Sequence, residues 1–473
     1  MFGFSRLNTG SNSISHERPV GSTSVFSVAF ILLGDVLLLQ GMTFAAIFIR
    51  LNLLPAGSAV LNPGNFTGIH FAVLAIPLGF AVAGLYPGYG LHAVDRLRRR
   101  IQVIALCFAA MGAFDYLAQN GLWSRGILLI TFALAFLLPI WDMIAVATLI
   151  RLRRWGMPVA LFGPASERAA FSELLRNNPE LGWYEAEAHD WPPENGPANR
   201  GISVAVALPP GDLQPSDGFD HLAYRHILLA PHLGPLQSHN VAARDIGPGR
   251  LILELQRKLT LKRHAFTKRL LDIVVALLLM PLALPIVMAA AAAVYILSPA
   301  WPFYVQSRRG RGGRQIRMWK IRTMVPNAEH LHPAVNENAD SSTDAPKISE
   351  NWEEYGKIQN DPRIVPGIGR WLRRFSIDEV PQLWNVLRGD MSLVGPRPLP
   401  DYHIAILNRD TVAIRELVRP GMTGYWQVTK RANARQSEME FLDVYYVRNW
   451  SLWLDIYILL RTVGVVIAGR GAY

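Results

Sequence analysis

Met280-Pro281-Leu282-Ala283-Leu284-Pro285-Ile286 lies in the middle of the apolar run Leu270–Leu297, and this run decides how the chain is laid out. Before it stand Lys258, Lys262, Arg263, Lys268 and Arg269. After it stand Arg308, Arg309, Arg311, Arg314, Arg317, Lys320 and Arg322. Basic flanks stay on the cytoplasmic side of a bilayer, so one simple crossing cannot satisfy both ends. Each proline removes a helix hydrogen bond and invites a bend. Residues 265–300 are therefore expected to enter and leave the same leaflet as a re-entrant helix–break–helix. A complete crossing would export everything C-terminal to it, away from cytoplasmic nucleotides.

Upstream, four runs approach the ~20 residues needed to span a bilayer: Val25–Ile49, Phe66–Tyr86, Ile101–Leu117 and Gly126–Ile150. Asp95-Arg96-Leu97-Arg98-Arg99-Arg100 lies between the second and third, and Arg151-Leu152-Arg153-Arg154 follows the fourth. The outer loops carry only Arg50 and Arg125. Both ends of this bundle, residues 25–150, are thus expected in the cytoplasm, with residues 1–24 as a polar tail and no signal peptide. Over the 473 residues, the 51% hydrophobic content argues against a wholly soluble protein. The +11 net charge is explained by basic cytoplasmic loops, so no nucleic-acid partner is invoked. The single Cys107 leaves no intrachain disulfide. Asp35, Asp115 and Asp142 fall inside spans; they are sequence-distant from other chemistry and read as interior packing partners rather than a proton path.

Residues 151–240 read as a small cytoplasmic Rossmann-like α/β domain. Val159–Gly163 is strand-like, Glu167–Arg176 helix-like, and Ile202–Leu208 and His226–Leu229 are further strands. Gly163-Pro164-Ala165-Ser166 is not a dinucleotide glycine motif, so the phosphate loop is expected to be degenerate and empty. Residues 241–264 read as a linker. Residues 301–473 form the last domain, mainly α, with a polar insertion at 327–359. The expected architecture is a membrane α-helical bundle of four spans, a Rossmann-like α/β domain, and a mainly α catalytic domain with a re-entrant membrane helix.

That last domain holds Arg373-Arg374-Phe375-Ser376-Ile377-Asp378-Glu379-Val380-Pro381-Gln382-Leu383. Ser376-x-x-Glu379 has the form of a capping box, with Asp378 as a first-turn acid on a helix that ends at Gly389. The same two carboxylates can supply a nucleophile and hold Mg²⁺, while arginines hold an anionic substrate. The two readings are compatible. An acidic pair between a half-inserted helix and Arg-rich segments suits phosphate chemistry on a lipid at the membrane surface.

The stretch from Asp378 through Gly395-Pro396-Arg397-Pro398 resembles the bacterial sugar transferase family, the polyprenyl-phosphate hexose-1-phosphate transferases. Lys268-Arg269-x-x-Asp272, Pro285, Tyr304–Gly310, Lys320-x-Arg322-Thr323-Met324, Arg419–Val428, Leu442–Val447 and Gly471-Ala472-Tyr473 match as well. The resemblance covers about residues 265–473, and the whole chain is similar to the large undecaprenyl-phosphate galactose or glucose phosphotransferases.

The family implies that hexose-1-phosphate passes from a UDP-hexose to undecaprenyl phosphate with Mg²⁺ as cofactor. UMP leaves and an aspartyl-phosphosugar forms on Asp378, as the first step of exopolysaccharide, capsule or O-antigen synthesis. Glu379 would share the metal with Asp378 and assist proton transfer. Lys320, Arg322, Arg373, Arg397 and Arg419 would bind substrate, with Arg431 the equivalent of a further family arginine. Pro285 would set the re-entrant break. The implied location is the bacterial inner membrane, catalytic domain inward, among inner-membrane lipids and with a homodimer possible. Departures are Val380 after the pair, Thr429–Asn433 and Leu284 before Pro285. The rival readings are a lipid glycosyltransferase that releases UDP, a membrane-anchored dehydratase or epimerase, and a scaffold.

Overall fold

The computed structural model describes residues 22–53, 64–118, 125–190, 202, 204–208, 224, 226–230, 241–245, 251–255, 259, 262–326, 363–429 and 436–468. The chain divides into two compact units, Met1–Leu233 and Gly234–Tyr473. The insertion 327–359, Arg431 and the terminal Gly471-Ala472-Tyr473 lie outside the described residues.

The first unit begins with α1 (Ser22–Asn52), α2 (Gly64–Ala72), α3 (Ala75–Val82), α4 (Ala93–Ala118), α5 (Arg125–Ala135) and α6 (Leu138–Arg151). Prolines explain two interruptions. Pro77 and Pro139 sit in the first turns of α3 and α6, where a missing N–H leaves no helix bond unmade. Val25–Asn52, Ala93–Leu117 and Arg125–Arg151 remain long and apolar enough to cross a membrane. The expected second span does not: its apolar helical part is Gly68–Val82, short of the ~20 residues of a straight crossing. The fourth helix of sufficient length is Arg263–Leu297, in the other unit.

Leu39, Phe80, Ile104, Phe108, Ile127 and Leu138 fill the bundle core. Leu33, Leu37, Phe44, Phe48, Leu106 and Leu129 face outward. An apolar exterior is what a lipid-facing surface requires. Inside, Arg96 and Arg100, four residues apart on one face of α4, turn away from solvent. Arg100 Nη1 lies 2.8 Å from Asp35 and its Nη2 2.9 Å from Asp142, and Arg96 Nε donates to Asp142 at 3.1 Å. The Tyr86 hydroxyl donates to Asp35 at 2.7 Å. Asp35 and Asp142 are thus packing partners. Arg98, Arg99, Arg151, Arg153 and Arg154 remain exposed.

The α/β part of this unit is an all-parallel sheet of order β2-β1-β3-β4: β1 Met157–Phe162, β2 Trp183–His189, β3 Val204–Ala207 and β4 His226–Leu229. Helix α7 (Ala165–Asn177) makes the crossover from β1 to β2. At the β1–α7 turn Gly163 has φ +155°, and a Cβ there would collide with the Leu208 carbonyl. Pro164, at the N-cap, offers no N–H. The turn is filled by its own chain and is poorly made for a phosphate.

The second unit opens with a correction. Residues 241–264, expected as a linker, contain the antiparallel pair β5 (Val241–Asp245) and β6 (Leu251–Leu255). The expected break in the next segment also differs: α8 (Lys262–Leu297) is one helix with Pro281 and Pro285 inside it. Then come the hairpin β7 (Phe303–Arg309) and β8 (Gln315–Ile321), α9 (Gly369–Arg374) and α10 (Gln382–Arg388). β9 (Ser392–Val394) pairs in parallel with β10 (Gly421–Thr423). Helices α11 (Asp401–Ala405), α12 (Arg409–Glu416), α13 (Tyr425–Thr429), α14 (Gln436–Arg448) and α15 (Leu452–Ala468) complete a mainly helical unit.

Both ends of α8 belong to this unit's interior. Near its start, Lys268 Nζ donates to Asp455 at 2.7 Å, Ser392 Oγ donates to Asp272 at 2.8 Å, and Arg269 donates to the Val386 and Leu387 carbonyls. Near its end, Ala290 and Val294 pack with Ile321 and Leu372. Between them Leu277, Leu278, Leu282, Leu284 and Met288 are exposed.

Candidate active site

Helix α9 ends at Arg374, and Ser376 then adopts a left-handed conformation (φ 55°, ψ 26°). This turns the chain into one 3₁₀ turn, Ile377–Glu379. Pro381 at the N-cap starts α10, whose end is closed by Gly389 with φ 95°, a conformation glycine takes without a Cβ clash. Ser376 makes no side-chain cap, and the Glu379 carboxylate does not reach back to it. The capping box is therefore not formed. A serine in the left-handed region cannot aim its hydroxyl as an extended N-cap residue does.

Glu379 points instead to two cations. Lys320 Nζ on β8 donates to Glu379 Oε1 at 2.8 Å, and Arg397 Nη2 donates to the same oxygen at 3.2 Å. β8 is held on α10 by Asn385, which accepts from Trp319 N at 3.1 Å and donates to the Arg317 carbonyl at 2.7 Å. Arg397 is held through its backbone, whose carbonyl accepts from Arg415 Nη2 at 2.6 Å; Arg415 is itself ion-paired with buried Asp443. Together these residues border an open cleft of about 270 Å³, lined also by Arg308, Met318, Gln382, Pro398, Gly421 and Met422.

Asp378 sits on the same turn, is buried, and makes no ion pair with any described residue. It is not itself part of the cleft lining. Burial pushes its carboxyl up, and the adjacent Glu379 charge pushes the same way, to about 6. Lys320, Arg373 and Arg397 offset this only in part. For Glu379 burial also works upward, but the charges and hydrogen bonds of Lys320 and Arg397 outweigh it and hold the group down to about 2. Two neighbouring carboxyls are thereby driven apart: one firmly ionised, the other near its midpoint in the neutral range.

The remaining expected site residues take other positions. Arg373 Nε donates to Thr323 Oγ1 at 2.9 Å, close enough for its charge to act on Asp378. Arg322 closes the C-terminal end of α8, donating to the Ser298 and Ala300 carbonyls. Arg419 donates to the Gly389 carbonyl at 2.8 Å, beside the carbonyls that Arg269 takes, so the two arginines cap the C-terminal end of α10. Neither Arg322 nor Arg419 lines the cleft. Arg308, Asn385 and Arg415 were not anticipated. Only Arg308 carried a signal, as a basic residue of a strand-like segment beside Lys320. Among the described residues no cluster of three His, Cys, Asp or Glu is present, so a metal here would take two carboxylates from the chain.

Comparison with known proteins agrees with this geometry. Residues 263–469 match the model of the bacterial sugar transferase family. The UDP-galactose-lipid carrier transferase of Erwinia amylovora is 40% identical over 225 residues, 47% of this chain and 45% of that protein. The UDP-glucose:undecaprenyl-phosphate glucose-1-phosphate transferase of Caulobacter vibrioides is 37% identical over 257 residues, 52% of this chain and 86% of that protein. The exopolysaccharide production protein ExoY of Rhizobium meliloti is 35% identical over 208 residues, 44% of this chain and 88% of that protein. The chain spans about half the length of the first of these relatives but most of the other two. The C-terminal unit carries the whole matched segment, and by it the chain belongs to the bacterial sugar transferase family.

Proposed function

We propose that this chain transfers hexose-1-phosphate, with glucose or galactose as the sugar, from a UDP-hexose to undecaprenyl phosphate at the bacterial inner membrane. The step would initiate exopolysaccharide, capsule or O-antigen synthesis. One observation carries the mechanism: Asp378 is a buried carboxylate without a salt-bridge partner, beside a glutamate that two cations hold ionised. A carboxylate spent on an ion pair is a poor nucleophile; this one is kept available.

In the first half-reaction an Asp378 oxygen attacks the β-phosphorus of the UDP-hexose. The new acyl-phosphate P–O bond forms as the bond to the α-phosphate oxygen breaks, and UMP departs with that electron pair. In the second, a phosphate oxygen of undecaprenyl phosphate attacks the same phosphorus and Asp378 leaves as carboxylate. Lys320 and Arg397 border the cleft and offset phosphate charge, and Arg373 adds its field at Asp378. Mg²⁺ fits this donor set, since it is commonly held by one or two carboxylates with substrate phosphates completing the shell. Asp378 and Glu379 would hold it, and it would supply charge neutralisation at the diphosphate.

The location of the second unit follows from α8. Its two ends are held by the same globular unit while its central leucines are exposed. A helix cannot cross a bilayer with both ends on one domain, which supports a re-entrant insertion into the cytoplasmic leaflet. The exposed Arg98, Arg99, Arg151, Arg153 and Arg154 support a cytoplasmic face for the bundle ends. The parallel α/β unit is then a cytoplasmic, Rossmann-like module without a nucleotide, open to a regulatory or homodimer-forming role.

The test is an assay in nanodiscs with undecaprenyl phosphate, Mg²⁺ and UDP-glucose or UDP-galactose, reading the nucleotide released and the lipid product. UMP with one sugar, lost in Asp378→Ala, is the expected result. Release of UDP would instead indicate plain glycosyl transfer, and activity retained by Asp378→Ala would remove the covalent step.

A further inference from the structure

Three cations line the cleft, and they are not equivalent. Lys320 and Arg397 direct their charge at Glu379. Arg308 does not: its Nε and Nη1 atoms are closed off from solvent and meet no acceptor among the described residues. Its neighbour on β7 sharpens the contrast. Arg309 faces the other side of the strand, as alternation requires, and pairs with Asp401 at 2.8 Å and Glu416 at 3.3 Å. The fold therefore supplies acids to one arginine of the pair and withholds them from the other.

A buried guanidinium with unmade hydrogen bonds is unfavourable, because donors stripped of water must find acceptors elsewhere. Around Arg308 stand Arg397, which repels it, and the phenols of Tyr402 and Tyr304. Burial first, and then the Arg397 charge, push the Arg308 pKa down. An incoming group with several anionic oxygens would satisfy the free donors and relieve the repulsion between the two arginines together.

Resting on the function proposed above, we infer that Arg308 is a phosphate anchor of the cleft, donating from Nε and Nη1 to the phosphate group adjoining the one that Asp378 attacks. Two molecules carry such a phosphate. One is the nucleotide, through its α-phosphate; the other is the polyprenyl acceptor. Both present non-bridging phosphate oxygens, and binding measurements separate them.

The experiment uses the full chain in nanodiscs, with calorimetric binding of UDP and the KM values for UDP-hexose and undecaprenyl phosphate. Arg308→Gln is expected to weaken one phosphate-bearing ligand by about ten-fold or more, the loss of one charged hydrogen bond. Arg308→Lys should recover part of that loss. Arg314→Gln, an exposed arginine of the same hairpin, should change nothing. A weaker UDP Kd together with a raised UDP-hexose KM assigns the nucleotide phosphate; a raised KM for undecaprenyl phosphate alone assigns the acceptor. The melting temperature should not fall in Arg308→Gln, since no protein partner is lost, whereas a structural role would lower it. Unchanged Kd and both KM values in Arg308→Gln overturn the assignment. If the wild type releases no UMP from either sugar nucleotide, the proposed reaction fails, but binding of UDP or inorganic diphosphate to wild type and Arg308→Gln still decides the anchor.

Discussion

In the helical bundle, Asp35 and Asp142 face Arg96 and Arg100, two acids to two bases, and every one of these groups is buried and paired. In the cleft of the C-terminal unit, Glu379 is shared by Lys320 and Arg397, Asp378 has no ion-pair partner, and two nitrogens of Arg308 have no acceptor. Both are clusters of arginines and carboxylates removed from water. The first neutralises itself and needs nothing further. The second leaves a nucleophile and a cation unmatched, a state that persists only because the surrounding fold imposes it. Residue type does not separate the two clusters; completeness of pairing does.

The strongest attack on this comparison is Asp378→Asn. Turnover should fall by roughly ten-thousand-fold or more, the scale seen when a nucleophile is removed. Stability should move the other way. A buried carboxyl pushed up to about 6 keeps its proton in the folded state where the unfolded chain has released it. Its cost to stability therefore grows as pH rises from about 4 through about 6 and is complete at pH 7. Asp378→Asn should stabilise the protein at pH 7 by on the order of 2 kcal/mol, and by little at pH 4. A destabilised variant at pH 7 would mean that Asp378 has a structural partner after all.

Arg100→Met is the counterpart in the bundle. Removing one member of a buried, paired cluster strands two aspartates and should cost about 3–5 kcal/mol. The expected readout is a lower melting temperature with unchanged kcat per folded molecule, opposite in both respects to Asp378→Asn. Equal stability of wild type and Arg100→Met would dissolve the distinction between the clusters.

Parts of this contrast are visible in the residues alone and parts are not. Asp378-Glu379 stands out because two adjacent acids amid arginines have few bland explanations. Asp35 and Asp142 read as packing partners because bases occur at the bundle's cytoplasmic end. The capping box at Ser376 misleads, since the motif presumes an extended N-cap and the chain turns left-handed there. Arg322 and Arg419 mislead for a different reason. A guanidinium on a long stem serves a phosphate or a helix carbonyl equally well, and only the tertiary placement of α8 and α10 decides. Arg308 escapes notice because strand alternation separates it from Arg309 without saying which of the two faces the cleft. Pro281 and Pro285 announce an interruption, yet α8 continues through both.

A third measurement targets the charges that set the pair apart. The acidic limb of the kcat/KM profile should lie near 6, because Asp378 must lose its proton to attack. Glu379→Gln removes a like charge and releases Lys320 and Arg397 toward Asp378, so the limb should move to lower pH in whatever activity remains. Lys320→Gln removes a favourable cation and should move it to higher pH. A limb that ignores both substitutions would belong to another group.

The smallest effect is expected at Ser376, where the cleft's backbone is under tension instead of its charges. A non-glycine residue at φ 55° bears a steric cost of about 1–2 kcal/mol, because its Cβ crowds the following carbonyl. Glycine removes that clash but gives the unfolded chain more freedom, which offsets about half the gain. Ser376→Gly should therefore raise stability by no more than about 1 kcal/mol. Its hydroxyl makes no cap that would be lost. The nucleophile follows two residues later, so a looser turn should hold Asp378 less firmly and reduce kcat more than it changes KM. A clear loss of stability would show that the serine side chain braces the turn. The cleft would then carry strain held by side-chain contacts, and its difference from the bundle would rest on unpaired charge alone.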